Sequence, residues 1–118
     1  MADSELQWRV ESRDDARIVR PAGRVDETTA TAFAERLNDE IAAAGTSGER
    51  RVAIDLAGIE YMSSRGLRAL TLAQRKAKEQ DVTIVLAQPN AVMREILAIS
   101  RYDMVFKVFD TTEDALAG

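Results

Sequence analysis

Hydrophobic and polar positions change period along this chain, and the changes mark its elements. Leu6-Gln7-Trp8-Arg9-Val10-Glu11 alternates strictly, which predicts a strand with one buried face. Ser12-Arg13-Asp14-Asp15 reads as a hairpin turn, and Ala16 to Ala22 as a second strand carrying Ile18 and Val19. Pro21 lacks a ladder donor, so it belongs near a strand end or on an unpaired edge, and Gly23 reads as the break after it. Phe33, Leu37, Ile41 and Ala44 then recur at intervals of four, four and three, one face of a helix. Thr28 or Thr29 suits its start and Gly45 its stop. After the loop Gly45-Thr46-Ser47-Gly48, Val52 to Leu56 is a short apolar strand.

Leu67, Leu70, Ala73 and Ala77 make a second helical stripe. Val82-Thr83-Ile84-Val85-Leu86-Ala87 is apolar on both faces, as expected for an interior strand. Pro89 suits the first turn of a third helix, with Val92, Ile96 and Ile99 as its buried face. Val105 to Phe109 is a last strand, and Thr111 with Asp114 resembles a capping box before a short final helix. The order is β-β-α-β-α-β-α-β-α. Strands and helices alternate after the opening hairpin, so the fold class is α/β, with a central mixed, largely parallel sheet of about five strands and flanking helices. No internal repeat or linker divides the chain, which predicts one domain over residues 1–118.

Composition narrows the chemistry. Hydrophobic residues make up 46% of 118 positions, enough for a core, and the net charge is −4. That charge argues against a nonspecific grip on nucleic acid or an anionic membrane. No run approaches a transmembrane length, and Met1-Ala2-Asp3-Ser4-Glu5 is too acidic for a signal peptide, which points to the cytoplasm. Cysteine and histidine are both absent. Disulfides, thiol chemistry, Cys/His zinc sites and histidine-based triads are therefore excluded. No phosphate-loop or dinucleotide fingerprint is present, so neither a cofactor nor a metal is expected.

The most informative run is Ile54-Asp55-Leu56-Ala57-Gly58-Ile59-Glu60-Tyr61-Met62-Ser63-Ser64-Arg65-Gly66-Leu67-Arg68. It reads as a buried strand, a short loop and two serines at the mouth of a helix. A helix N-terminus offers unpaired N–H groups and partial positive charge, so it accepts a phosphate readily.

This run, together with Gly23-Arg24-Val25-Asp26, Ile84-Val85-Leu86 with Pro89, and Phe106 to Leu116, resembles the STAS domain of bacterial anti-sigma-factor antagonists over roughly residues 5 to 117. The resemblance implies a STAS-type sheet and a partner-switching cycle. In that family an anti-sigma factor that is also a serine protein kinase phosphorylates the antagonist two residues before the Gly-Leu pair, which is Ser64 here. The unphosphorylated form binds the anti-sigma factor, the phosphorylated form lets go, and a PP2C-type phosphatase resets it. The resemblance also implies that Asp26 stands close to the acceptor. Many members carry Asp-Ser-Ser-Gly, whereas here Ser63 holds the Asp position and Arg65 that of the second Ser, which leaves Ser63 as the second choice of acceptor. The family often has Gly after its third helix, where this chain reads Ser100-Arg101-Tyr102.

The same positions also have plain structural readings. Ser64 can be an ordinary helix cap, Arg68 a solvated arginine one turn further on, and Asp26 a turn before the first helix. Arg65 reads as a surface or partner-facing residue. Asp55 reads as the hydrogen-bonding group that sets a turn, and an enzyme built on Asp26 and Asp55 is disfavoured because no nucleophile–base pair accompanies them. Leu72 and Ala69 fall off the buried stripe of the second helix and suit either a loop contact or an apolar partner patch. The alternative to a phospho-switch is an unphosphorylated scaffold or subunit of a signalling or lipid-transport assembly, in which Ser64 is only a cap.

Overall fold

The computed structural model describes residues 6–118; the acidic start Met1–Glu5, expected not to be a secretion signal, lies outside the described residues. β1 (Gln7–Arg13) and β2 (Ala16–Val25) form the opening hairpin, turning at Asp14 with a φ of 59°. Then come α1 (Ala30–Ser47), β3 (Arg51–Asp55), β4 (Ile59–Met62), α2 (Ser64–Glu79), β5 (Thr83–Ala87), α3 (Ala91–Ile99), a 3₁₀ turn at Tyr102–Met104, β6 (Val108–Phe109) and α4 (Thr112–Ala117). The sheet runs β1-β2-β3-β5-β6, and β4 pairs with the far end of β2. β1 and β2 are antiparallel and the other pairs are parallel.

Period-two alternation divides the sheet into two faces. Val52, Ile54, Ile84 and Leu86 join the stripes of α1 and α2 in the larger core. Ala53, Val85 and Ala87 face the other way, against Ala115, Phe109 and Leu116. The spacing predicts the stripes Phe33, Leu37, Ile41 and Ala44 on α1 and Leu67, Leu70, Ala73 and Ala77 on α2, all buried, but Ala69, expected off the α2 stripe, is buried in the same core. Trp8 is half-buried and meets Phe33 edge-on, with ring centroids 6.1 Å apart. Among the described residues no helix is long and apolar enough to cross a membrane.

The structure departs from the sequence reading at several points. The presumed loop before the serines contains β4, a four-residue strand too short to show a period. Gly23 does not end β2; it takes a φ of 118° at a register shift, and the strand continues to Val25. β2 changes partner here, its last pair with β3 being Val19↔Ile54 and its first with β4 Gly23↔Ile59. Pro21 falls in the gap, where that side of the strand needs no donor. α1 runs through Gly45 and stops at Gly48, which has the left-handed φ of 77°. β6 is confined to Val108–Phe109, since the 3₁₀ turn takes up the chain to Met104 and Val105 is exposed.

α3 is the largest correction. Met93 and Leu97 are its buried face, while Val92 and Ile99 are exposed and Ile96 is only partly covered. Asn90, not Pro89, opens the helix: its Oδ1 accepts the Met93 N–H at 2.9 Å. Its Nδ2 also donates to the Ile59 carbonyl at 2.7 Å, which pins the helix start to β4 and sets the rotation. After α3, Arg101 adopts a left-handed φ of 63° at the position where the STAS resemblance leads one to expect glycine.

Candidate functional site

The site is assembled where β2 and β4 end together. Asp55 closes β3 in a buried position, and its carboxylate accepts the Ala57 N–H at 2.9 Å and both bonds from Gln88 Nε2 at 3.2 Å. Arg20 Nε lies 3.4 Å from the same group. Asp55 is thus fully engaged in turning the chain from β3 into β4, as its sequence position suggests. β4 then delivers Met62 opposite Val25, and the Ser63 N–H donates to the Val25 carbonyl at 2.8 Å.

α2 begins immediately. Ser63 has an extended backbone (φ −77°, ψ 172°), and its Oγ accepts the Gly66 N–H at 3.4 Å. Ser63 is therefore the N-cap, and the sequence reading of Ser64 as the cap is corrected by one residue. Ser64 is the first helical residue and is exposed, and among the described residues no hydrogen-bond partner engages its hydroxyl. Gly66 is required by contact: a Cβ there would stand 2.5 Å from Met62 Cγ and 2.6 Å from Val25 Cγ1. The small residue lets the helix start approach the strand ends, which holds Ser64 at the rim.

The Asp26 loop lies beside this helix start, since Asp26 follows directly on Val25. Its Oδ1 accepts the Thr28 N–H at 3.0 Å and the Thr28 hydroxyl at 2.7 Å. The Thr28 contacts hold its carboxyl below the usual carboxylate range, against a smaller opposing effect of burial, so Asp26 is an anion at neutral pH. Thr29 stands at the α1 cap position without capping; its hydroxyl accepts the Asp26 N–H and donates to the Arg24 carbonyl. Arg65 Nη1 reaches Glu27 Oε1 at 3.1 Å and ties the loop to α2. Both side chains are well exposed, so this pair contributes little stability, about 0–1 kcal/mol. Arg68 is exposed on the next turn, and among the described residues no carboxylate pairs with it.

Asp26, Ser63, Arg65 and Ser64 thus converge on one rim. Two neighbours were missed by the sequence reading: Glu27, the partner of Arg65, and Tyr61, whose ring lies 4.8 Å from the Arg24 guanidinium. The register pair Arg24↔Tyr61 brings that last contact about, and β4 itself was not foreseen. The first turn of α2 holds no acidic residue and carries Arg65 and Arg68 nearby. Within that turn no acid offsets the positive helix end, so an anion there meets the helix dipole on one side and the neighbouring Asp26 carboxylate on the other. Beside it, a groove of about 290 Å³ runs between α1 and α2, lined by Ala30, Ala34, Arg65, Arg68 and Leu72 among others. A hollow of about 800 Å³ at α3, the 3₁₀ turn and β6 is lined by none of these site residues.

The STAS domain family model matches residues 7–115. BtrV of Bordetella bronchiseptica, whose name assigns it provisionally to the anti-sigma factor antagonists, is 37% identical over 87 residues, 74% of this chain and 75% of that protein. The anti-sigma-F factor antagonist RsfB of Mycobacterium tuberculosis is 28% identical over 117 residues, 99% of this chain and 92% of its own. Among solved structures, unphosphorylated SpoIIAA superposes with a TM-score of 0.71 at 17% identity, covering 93% of each chain. The phosphorylated Bacillus SpoIIAA gives 0.65 at 18% identity, over 94% of this chain and 97% of that one. At such identities the structural likeness shows the fold.

Proposed function

This chain belongs to the STAS-domain family, and from that premise we propose that it is an anti-sigma factor antagonist controlled by phosphorylation of Ser64. One observation carries the proposal: Ser64 is exposed at the start of α2 and its hydroxyl has no hydrogen-bond partner among the described residues, while the adjacent Ser63 serves as the cap. A kinase can take the free hydroxyl without undoing the helix end. Ser63, with its oxygen committed to Gly66, is the poorer acceptor. The names of the relatives and the two states in which SpoIIAA is described support the same reading.

In this account the protein works by binding and is a substrate, not an enzyme. A single STAS domain carries the whole switch, in the cytoplasm. The unphosphorylated rim, with Asp26, Ser63, Arg65 and Arg68 around Ser64, binds an anti-sigma factor that is also a serine protein kinase. Phosphate at Ser64 brings about −1.5 to −2 charges into an interface shaped for a neutral hydroxyl and next to the Asp26 anion. A hundredfold loss of affinity requires about 2.8 kcal/mol, within reach of a charge desolvated at a protein contact. A PP2C-type phosphatase restores the binding form.

The test is to incubate the protein with its cognate kinase and ATP, map the phosphate by mass spectrometry, and titrate both forms against the kinase. Modification at Ser64 with weakened binding is expected. Modification only at Ser63, or none, overturns the proposal. A second reading, a scaffold without phosphorylation, is favoured by one feature: Leu72 is 44% exposed on α2 and can serve an apolar contact. Ser64→Asp separates the two, because a scaffold keeps its partner.

A further inference from the structure

α2 is the basic element of an acidic chain. It carries Arg65, Arg68, Arg75, Lys76 and Lys78 against the single acid Glu79, in a protein of net charge −4. Among the described residues only Arg65 of these five has an ion-pair partner. Arg65, Arg68, Leu72 and Arg75 are exposed at spacings of three, four and three, one stripe along the helix. Beside this stripe lies the α1–α2 groove, whose floor includes the small residues Ala30, Ala34 and Ala69, with Leu72 at its edge.

We propose that this groove is an extension of the anti-sigma-factor interface, and that it receives an amphipathic helix of that partner: an apolar side chain seated between Ala34 and Leu72, with acidic residues facing Arg68 and Arg75. The inference rests on the proposed function and adds the chemistry of the partner. Three features select the occupant. The groove shares Arg65 and Arg68 with the Ser64 rim, so a partner covering the rim meets the groove without a gap. Among the described residues Arg68 and Arg75 have no ion-pair partner, and removing them from water is favourable only against opposite charge. The stripe is interrupted by Leu72 and faced by Glu35 across the groove, so a continuous polyanion would meet an apolar residue and a carboxylate. An acidic helix with one apolar ridge meets neither difficulty, and the stripe from Arg65 to Arg75, about 15 Å along α2, offers it roughly three turns of contact.

The test titrates the full chain with the kinase that phosphorylates it, by calorimetry at two ionic strengths. Ala34→Phe, which fills the groove, and Leu72→Gln, which removes its apolar edge, are each expected to weaken binding about tenfold. Arg68→Glu combined with Arg75→Glu should weaken it about tenfold or more and flatten the salt dependence. Lys78→Glu, outside the stripe, should stay within about twofold. Circular dichroism reports whether each variant folds, and if Ala34→Phe does not, Leu72→Gln decides. Unchanged affinity in the groove variants, with Ser64 still phosphorylated, overturns this inference and leaves the phospho-switch standing. Groove-dependent binding without phosphorylation does the reverse. No binding by the wild-type chain overturns both. If the charge variants lose duplex DNA or phosphatidylserine vesicles but keep the kinase, the stripe serves a polyanion and the inference is wrong.

Discussion

The amide of Ser63 donates to the carbonyl of Val25 across 2.8 Å, and this bond joins two chain segments 38 residues apart into one rim. On one side it fixes the cap of α2, and on the other it sets the first residue of the Asp26 loop. The two serines then divide their tasks, the first holding the helix and the second left free. Ser63→Ala is expected to cost about 0.5–1 kcal/mol, at the low end for caps because the Ser63–Gly66 bond is long. Ser64→Ala should leave stability within about 0.5 kcal/mol and abolish phosphorylation. Urea denaturation and mass spectrometry of both variants check the division.

Gly66 is set by space. With Met62 Cγ and Val25 Cγ1 at 2.5 and 2.6 Å from where its Cβ would stand, Gly66→Ala must push α2 off the strand ends. Overpacking of this kind costs about 1–3 kcal/mol, and it should also slow phosphorylation by displacing Ser64. Denaturant midpoint and initial phosphorylation rate are the readouts.

Phosphorylation should leave the fold intact. The first turn of α2 contains no acidic residue, so a phosphate at its first position complements the helix dipole. The dipole favours the phosphate by about 0.3–1 kcal/mol and the neighbouring Asp26 anion opposes it, so stability is expected to change by less than about 1 kcal/mol with helix content preserved. A large loss of ellipticity at 222 nm on phosphorylation would point instead to an order–disorder switch.

Arg101 holds a left-handed conformation that glycine adopts without strain. Arg101→Gly is therefore expected to stabilise the protein by about 0.5–1 kcal/mol, the relief of strain exceeding glycine's added entropy in the unfolded chain. Thermal and urea denaturation give the sign directly.

Acid sensitivity should centre on Glu49. Burial pushes its carboxyl up, but the Ser12 hydroxyl at 2.6 Å and the Arg17 guanidinium at 2.8 Å outweigh that and hold it below its ordinary value of 4.5. A group depressed in the folded state binds fewer protons than in the unfolded chain. Its contribution is full above pH 4.5 and is lost as pH falls through the folded value. Glu49→Gln should cost about 1–3 kcal/mol at pH 7 and flatten the acid limb of the stability profile below about pH 5.

The sequence by itself determined the alternation of strands and helices, the buried stripes of α1 and α2, the interior character of β5 and the two serines at a helix start. These are local signals, because each stripe is read by one neighbouring surface and each cap by its own turn. Tertiary structure decided the rest. β4 exists because β2 outruns β3 and has an edge left to pair, which no four-residue pattern announces. On α3 the spacing pointed to Val92, Ile96 and Ile99, and the Asn90 bonds to the Ala57 and Ile59 carbonyls accompany a rotation that buries Met93 and Leu97 instead. Serine suits a cap at either of two adjacent positions. Only the bond from Ser63 to Val25, made across the fold, settled which one caps and which one is left at the surface.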